Sequence, residues 1–317
     1  MRYHPPLPGE PMTAIMLDER DVRAAVTMPE AVAAVRQAFT DLAAGAFEMP
    51  VRTVLDDGRF LVMPVHHRPT SSAMIKTLSL NFDRTPAIGG TVVWSELHSL
   101  DRVVADAGAV TALRTGAVVG AATDLLADPG ADELVLIGAG GQAADQVRAV
   151  HAVRPLRRLT VVATASESAR ALVDRLRPEL DGVRLDTASD ARAAVGGAPM
   201  VCCATTSTAP LFAADDLPER VHVNAIGAFR PTMRELPDGL LGGADVVIDE
   251  REAVLEESGE VIHALESGAI TEADLRELGP ALAKGEGGRG PRTVFKSVGV
   301  AVQDWAIAHL LAERVLR

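Results

Sequence analysis

The run Leu134-Val135-Leu136-Ile137 passes directly into Gly138-Ala139-Gly140-Gly141-Gln142-Ala143, and Ala144, Val147 and Val150 then recur at helical spacing. A strand with no polar residue is buried on both faces, the situation of a parallel sheet flanked by helices. A glycine turn joining such a strand to a helix is the geometry of a dinucleotide-binding βαβ unit. Gly138 permits the tight turn, Gly140 lets the backbone approach a pyrophosphate, and Ala143 keeps the helix against the strand. Gly141 and Gln142 complete the loop, and the helix N-terminus behind it offers N–H donors and partial positive charge to the phosphates.

In such a unit the second strand, read here at 159–163, ends beside the adenosine ribose. A carboxylate usually stands there when the cofactor is NAD, but this chain has Ala163-Thr164-Ala165-Ser166. With nothing to repel a 2′-phosphate, Thr164 and Ser166, with Ser168 or Arg170, are expected to hold one. The expected cofactor is therefore NADP(H) or NAD(H), with NADP(H) favoured.

Apolar strands continue at 200–204, 222–226 and 245–248, with helices at 142–151 and 166–176, and this alternation predicts a doubly wound α/β sheet. Aromatic residues are only 3% of the chain, so the core must be aliphatic, which suits that architecture. The region before it reads differently. A strand at 14–17 precedes a helix opened by Met28-Pro29-Glu30. Short β-runs follow at 53–55, 60–65, 73–80, 91–96 and 102–105, with Asp57-Gly58 and Gly89-Gly90 read as turns. This is an α+β unit with an antiparallel or mixed sheet. One long helix at 110–127 follows it, and a last helix is expected at 298–316.

A formal net charge of −12 without a Lys/Arg cluster argues against nucleic acid as a partner. The most apolar long stretch, 105–127, is interrupted by Asp106, Arg114 and Asp124, so no membrane span is expected. The first twelve residues are Pro-rich and lack an apolar signal core, and Cys202 and Cys203 sit side by side in an apolar run, as small core residues of a reducing compartment would. A cytoplasmic protein is expected. His66-His67 could face a cleft, but no His, Cys or carboxylate is spaced with the pair for a metal.

Several further stretches carry a resemblance. They are Met49-Pro50-Val51-Arg52, Met63-Pro64, Ile75-Lys76 and Thr111-Ala112-Leu113-Arg114-Thr115-Gly116-Ala117; then Asn224-Ala225-Ile226-Gly227-Ala228, Pro231 with Arg234-Glu235-Leu236, Glu257-Ser258-Gly259-Glu260, and Thr293-Val294-Phe295-Lys296-Ser297-Val298-Gly299. In order and spacing the chain resembles the ornithine cyclodeaminase/mu-crystallin family over nearly its whole length. The resemblance implies a homodimer. Its substrate and dimerisation domain would be discontinuous, residues 1–112 together with 298–317, and a Rossmann domain, 113–297, would be inserted between them. The family includes cyclodeaminases, alanine dehydrogenase-like enzymes, ketimine reductases and a hormone-binding crystallin.

Carried over residue by residue, the resemblance makes Arg52, Lys76 and Arg114 the partners of a substrate carboxylate. A guanidinium fork pairs with a carboxylate bidentately. Lys76, between apolar neighbours, also becomes the candidate catalytic proton carrier, because a buried lysine's pKa falls readily. Thr115, Thr205, Ala225, Gly227 and Ser297 are placed against the cofactor. Asp304 is a family position too, read here as a helix-surface carboxylate. Where cyclodeaminases carry an Asp after the Asn-Ala-Ile-Gly segment, this chain has Phe229, which cannot take a proton; Glu235 or His66 would have to replace it. The leading expectation is thus NAD(P)H-dependent reduction of a C=N or C=O bond next to a carboxylate, in a 2-oxo or imino acid. Redox-neutral cyclodeamination and non-catalytic ligand binding are the alternatives.

Overall fold

The computed structural model describes residues 13–81 and 83–316; the Pro-rich start, read above for a signal core, lies outside the described residues. Up to the long helix the order is β1 (Ala14–Leu17), α1 (Glu19–Ala25), α2 (Met28–Ala43), β2 (Phe47–Glu48), β3 (Thr53–Leu55), β4 (Phe60–His67), β5 (Ser72–Leu80), β6 (Ile88–Glu96), β7 (Arg102–Asp106) and α3 (Ala107–Leu126). From the glycine unit onward come β8 (Glu133–Ile137), α4 (Ala143–Val153), β9 (Arg158–Val162), α5 (Ser166–Leu176), β10 (Arg184–Ala188), α6 (Ala191–Val195), β11 (Met200–Cys203), β12 (Val221–Ala225) and α7 (Asp238–Leu241). The chain ends with β13 (Asp245–Ile248), α8 (Arg251–Glu257), α9 (Gly259–Glu266), β14 (Leu275–Glu277), α10 (Leu278–Lys284), β15 (Arg292–Lys296) and α11 (Ala301–Val315).

The first sheet runs β1-β7-β6-β5-β4-β2, with β3 also on β4; only β1–β7 is parallel, so the sheet is mixed. Along β5 alternate residues Ser72, Met74, Lys76, Leu78 and Leu80 are buried, as a half-covered strand requires. The last helix, α11, lies on that buried face and also packs against α2 and α3. Gly89-Gly90 is not a turn but part of β6. A Cβ on Gly90 would lie 1.9 Å from the Thr77 carbonyl oxygen, so the glycine is there because the paired strands approach too closely for a side chain.

The second sheet is wholly parallel, in the order β10-β9-β8-β11-β12-β15-β13-β14. Strand order reverses between β8 and β11, the position at which an open α/β sheet leaves a crevice for a ligand. Strands β10, β14 and β15 were not read from the sequence, and β15 is central, between β12 and β13. The last helix begins at Ala301, later than expected.

Helix α3 is long and apolar enough to cross a membrane by length and composition, but it is almost wholly buried within the protein, between α2, α4 and α11. Its Gly116 lets α4 come close: a Cβ there would lie 2.5 Å from the Asp145 carbonyl oxygen. Cys202 and Cys203 are free and buried, and burial raises both thiols far above their ordinary range, so they are inert.

Candidate active site

Lys76 projects from the buried face of β5, where its cross-strand neighbours Met63 and Val92 are apolar. A lone ammonium in such a place is costly, and the structure supplies a partner. Lys76 Nζ donates to Asp304 Oδ1 at 2.8 Å, and both side chains are fully buried. Asp304 is therefore no surface carboxylate: α11 is buried all round from Ala301 to Ala308, and turns Gln303 and Asp304 toward α3 and β5. Arg114 Nε lies 3.3 Å from the same Oδ1, and Arg114 Nη1 donates to Gln303 Oε1. Gly299 closes on this guanidinium, with φ 83° and room for no side chain, since a Cβ would lie 2.5 Å from Arg114 Nη1.

Burial pushes the Lys76 ammonium down to about 8; Asp304 works against that push, while Arg114 and Arg52 add to it. Lys76 makes one hydrogen bond and an ammonium has three donors. Two cations share one carboxylate here, and donors remain for another.

Arg52 sits in a cavity lined by Met49, Pro50, Met63, Glu257 and Gly299. Its fork is bidentate with Glu257, and Nη2 also reaches the Val298 carbonyl at 3.3 Å. Arg52 is thus beside the Lys76–Arg114 group, as expected, but holds a carboxylate of the protein. Burial raises the Glu257 carboxyl, and Arg52 opposes the rise.

The expected cofactor residues fall mainly at the C-terminal edge of the second sheet. Gly138 follows β8 with φ 110°, and a Cβ would lie 2.4 Å from the Ala204 carbonyl oxygen, so only glycine fits the turn. Around Gly140 and Gly141 the space is open. Gln142 stands at the N-cap of α4 without capping it by its side chain, and its Oε1 is buried without a hydrogen-bond partner. An open glycine loop before uncapped helical N–H groups fits a pyrophosphate. Thr164 and Ser166 are exposed just past β9. Ala165 is the N-cap of α5 and makes no side-chain capping bond. Thr115 donates to Thr111 O at 2.6 Å, one residue from the α3–α4 crossing.

Thr205, Gly227 and Ser297 are tied into carboxylates the sequence reading gave no such role. Glu235, fully buried, accepts from Thr205 N at 2.7 Å, Thr205 Oγ1 at 2.8 Å, Gly227 N at 2.8 Å and Ala228 N at 3.2 Å. Asp249 accepts from Ser297 Oγ at 2.7 Å and from the N–H groups of Val298 and Gly299. Ala225 ends β12, and its carbonyl accepts from Ser297 N. Lys296 pairs with Glu260 at 2.9 Å, both fully buried.

Glu235, with all these donors, cannot stand in for the Asp replaced by Phe229. Neither can His66, which is half-buried and turned to Glu48. His67 is packed on Phe47 and Trp305 in the core and not in the cleft. Phe229 is half-buried; the Arg230 guanidinium lies 5.5 Å from its ring centroid and donates to Gly58 O at 2.9 Å, joining the segment after β12 to the β3–β4 turn.

Comparison with known proteins gives the same architecture. The model of the ornithine cyclodeaminase/mu-crystallin family matches residues 12–317. The chain is 30% identical, over 95% of its length and 97% of the relative's, to a Delta(1)-pyrroline-2-carboxylate reductase of Bacillus cereus. Among solved structures it resembles Thermococcus litoralis Delta(1)-pyrroline-2-carboxylate reductase in complex with NADH and L-proline, with TM-score 0.90 and 28% identity over 95% of this chain and 97% of that one. An archaeal alanine dehydrogenase dimer with bound NAD superposes with TM-score 0.87 and 28% identity over 96% of each chain.

Proposed function

The chain belongs to the ornithine cyclodeaminase/mu-crystallin family, and we propose that within it the protein reduces the C=N bond of an imino acid, the substrate carboxylate being held by Lys76 and Arg114. It is an NAD(P)(H)-dependent oxidoreductase of C=N bonds. Bound at the glycine loop, the nicotinamide cofactor supplies the hydride. The chain's own residues fix the carboxylate and manage the proton.

The observation that carries this reading is the buried group of Lys76, Arg114 and Asp304, which holds one positive charge more than it holds negative. A single substrate carboxylate balances it. With its ammonium brought down to about 8, Lys76 exchanges protons near neutral pH, as a proton donor to the reduced nitrogen must. Arg52 joins the carboxylate only if it exchanges its bond to Glu257, and otherwise shapes the wall of the cavity.

The cyclodeaminase alternative is disfavoured by Phe229 and by the saturated Glu235. We also propose a homodimer through the outer face of the first sheet, where Met16, Phe60 and Ile75 are exposed. The unit around that sheet and α11 would bind substrate, and the remainder the cofactor. Two reduced, buried cysteines suit the cytoplasm.

Following nicotinamide absorbance with Delta(1)-pyrroline-2-carboxylate, and with 2-oxo acids plus ammonia or methylamine, tests the reaction. Stoichiometric NAD(P)H consumption is expected with at least one imino acid, and no proline from ornithine and NAD⁺. Proline from ornithine without net cofactor turnover would put cyclodeamination first; tight ligand binding with no turnover at all would make the chain a binding protein.

A further inference from the structure

We propose that Asp304 is a positioning residue of this site: its buried carboxylate, shared by Lys76 and Arg114, holds both cations where the substrate carboxylate must meet them and keeps Lys76 charged until it arrives. The inference rests on the assignment of Lys76 and Arg114 to the substrate, and adds a residue that touches no substrate.

The geometry is lopsided. Both cations meet the same oxygen, Oδ1, while Oδ2 is buried with no hydrogen-bond partner among the described residues. This carboxylate gathers two cations from different elements, β5 and α3, onto a single point. The residue before it on α11, Gln303, takes Arg114 Nη1, and its amide nitrogen lies 3.5 Å from Ser297 Oγ, which donates to Asp249. The first turn of α11 therefore fixes Arg114 from two consecutive side chains and ties it to the end of β15.

The charged groups around Lys76 are few. Asp304 faces it from α11, Arg114 from α3, and Arg52 from the β2–β3 connection, backed by Glu257. On β4 and β6 its neighbours Met63 and Val92 carry no charge. Among the described residues Asp304 is therefore the group that favours the ammonium against burial and two guanidiniums. Without it, Lys76 sheds its proton at lower pH and the pair no longer offers two positive charges.

The test is the pH profile of kcat/KM for Delta(1)-pyrroline-2-carboxylate in wild type, Asp304→Asn and Asp304→Glu, with NAD(P)H affinity by fluorescence as the control. In wild type, turnover that needs protonated Lys76 falls as pH rises through about 8. The Asn variant is expected to bind cofactor normally, to lose ~10²-fold in kcat/KM at neutral pH, and to show its alkaline limb about one pH unit lower. A profile superimposable on wild type overturns the proposal. Glu keeps the charge but displaces it by one methylene, so it should keep the wild-type limb and raise KM about tenfold, on the order of one misplaced contact. A wild-type KM there overturns the positioning role, whether or not the Asn variant folds. If wild type reduces no imino acid, the reading of the reaction fails by itself, and Asp304 is then judged from unfolding. Folded Lys76 holds its proton to about 8 and the unfolded side chain to 10.5, so stability rises with pH across that window. In the Asn variant the rise should begin at lower pH; an unchanged onset overturns the proposal.

Discussion

Glu235, in the loop after β12, and Asp304, on α11 over the face of the first sheet, are both fully buried carboxylates, yet they are served very differently. Glu235 receives four donors, three of them backbone N–H groups, and closes the ends of β11 and β12 on one another. Asp304 receives a cation on one oxygen, a second cation beside it, and nothing on the other. A saturated network specifies backbone position, and its members have no capacity left for a ligand. The group around Asp304 keeps ammonium donors that make no bond within the protein, the capacity a ligand carboxylate would need. On the proposed function the difference divides scaffold from site within one class of residue, and the effects of mutation should divide in the same way.

Lys76→Ala should show the largest effect, a fall in turnover of ~10²–10⁴-fold, the usual cost of losing a general acid–base group. NAD(P)H affinity should change little, because Lys76 bonds to Asp304 and to none of the glycine-loop residues. Steady-state kinetics beside a cofactor titration checks this. Near-normal turnover would place Lys76 with the scaffold and break the comparison.

Glu235→Gln should do the reverse. An amide N–H would face backbone N–H groups that now point at a carboxylate, leaving donors unsatisfied in the interior. A loss of ~2–4 kcal/mol in unfolding free energy follows from breaking charge-assisted bonds there. Denaturant unfolding reads it. Cofactor affinity should fall with it, since Thr205 and Gly227 are held by this group, while the pH limb of the residual activity stays in place. An Asp304-like shift of that limb would mean that Glu235 also acts on the reaction.

The two carboxylates were not equally legible. Glu235 stands within a family motif, though its four donors arrive from loops that no spacing argument brings together. Asp304 was misjudged because one charge in a helix reads as a surface residue. The better signal was there: Ala301, Val302, Trp305, Ala306, Ile307 and Ala308 leave no polar face on which Gln303 and Asp304 could lie. Strand β15 was visible as a motif but not as a strand. Three apolar or β-branched residues, Thr293 to Phe295, fit a strand or a buried helix turn equally well, and only the parallel partners β12 and β13 decide. Strand β10, Arg-Leu-Asp-Thr-Ala, has too little apolar character to announce an edge strand. The strand, glycine turn and helix were readable throughout, because there the backbone geometry itself demands glycine.

The smallest effect lies outside both buried groups, on the exposed turn after β9. No carboxylate stands at 163–166, and α5 begins after Ala165, whose methyl cannot cap the first N–H groups. Thr164 and Ser166 are exposed beside them, and Arg170, one turn on, makes no ion pair among the described residues. A 2′-phosphate would meet free donors and a cation, but in water, where a single charge contact gives about 1 kcal/mol or less. Glu167 in the same first turn works against it. NADPH is therefore expected to bind only a few-fold more tightly than NADH. The margin should shrink as salt is raised, because exposed charges are screened, and Arg170→Ala should remove most of it. Fluorescence titrations of both cofactors at low and high ionic strength measure the ratio. Tighter binding of NADH would mean that the hydroxyls of Thr164 and Ser166 serve the ribose and not a phosphate; a large, salt-independent preference for NADPH would mean that this site, too, is built from buried charge.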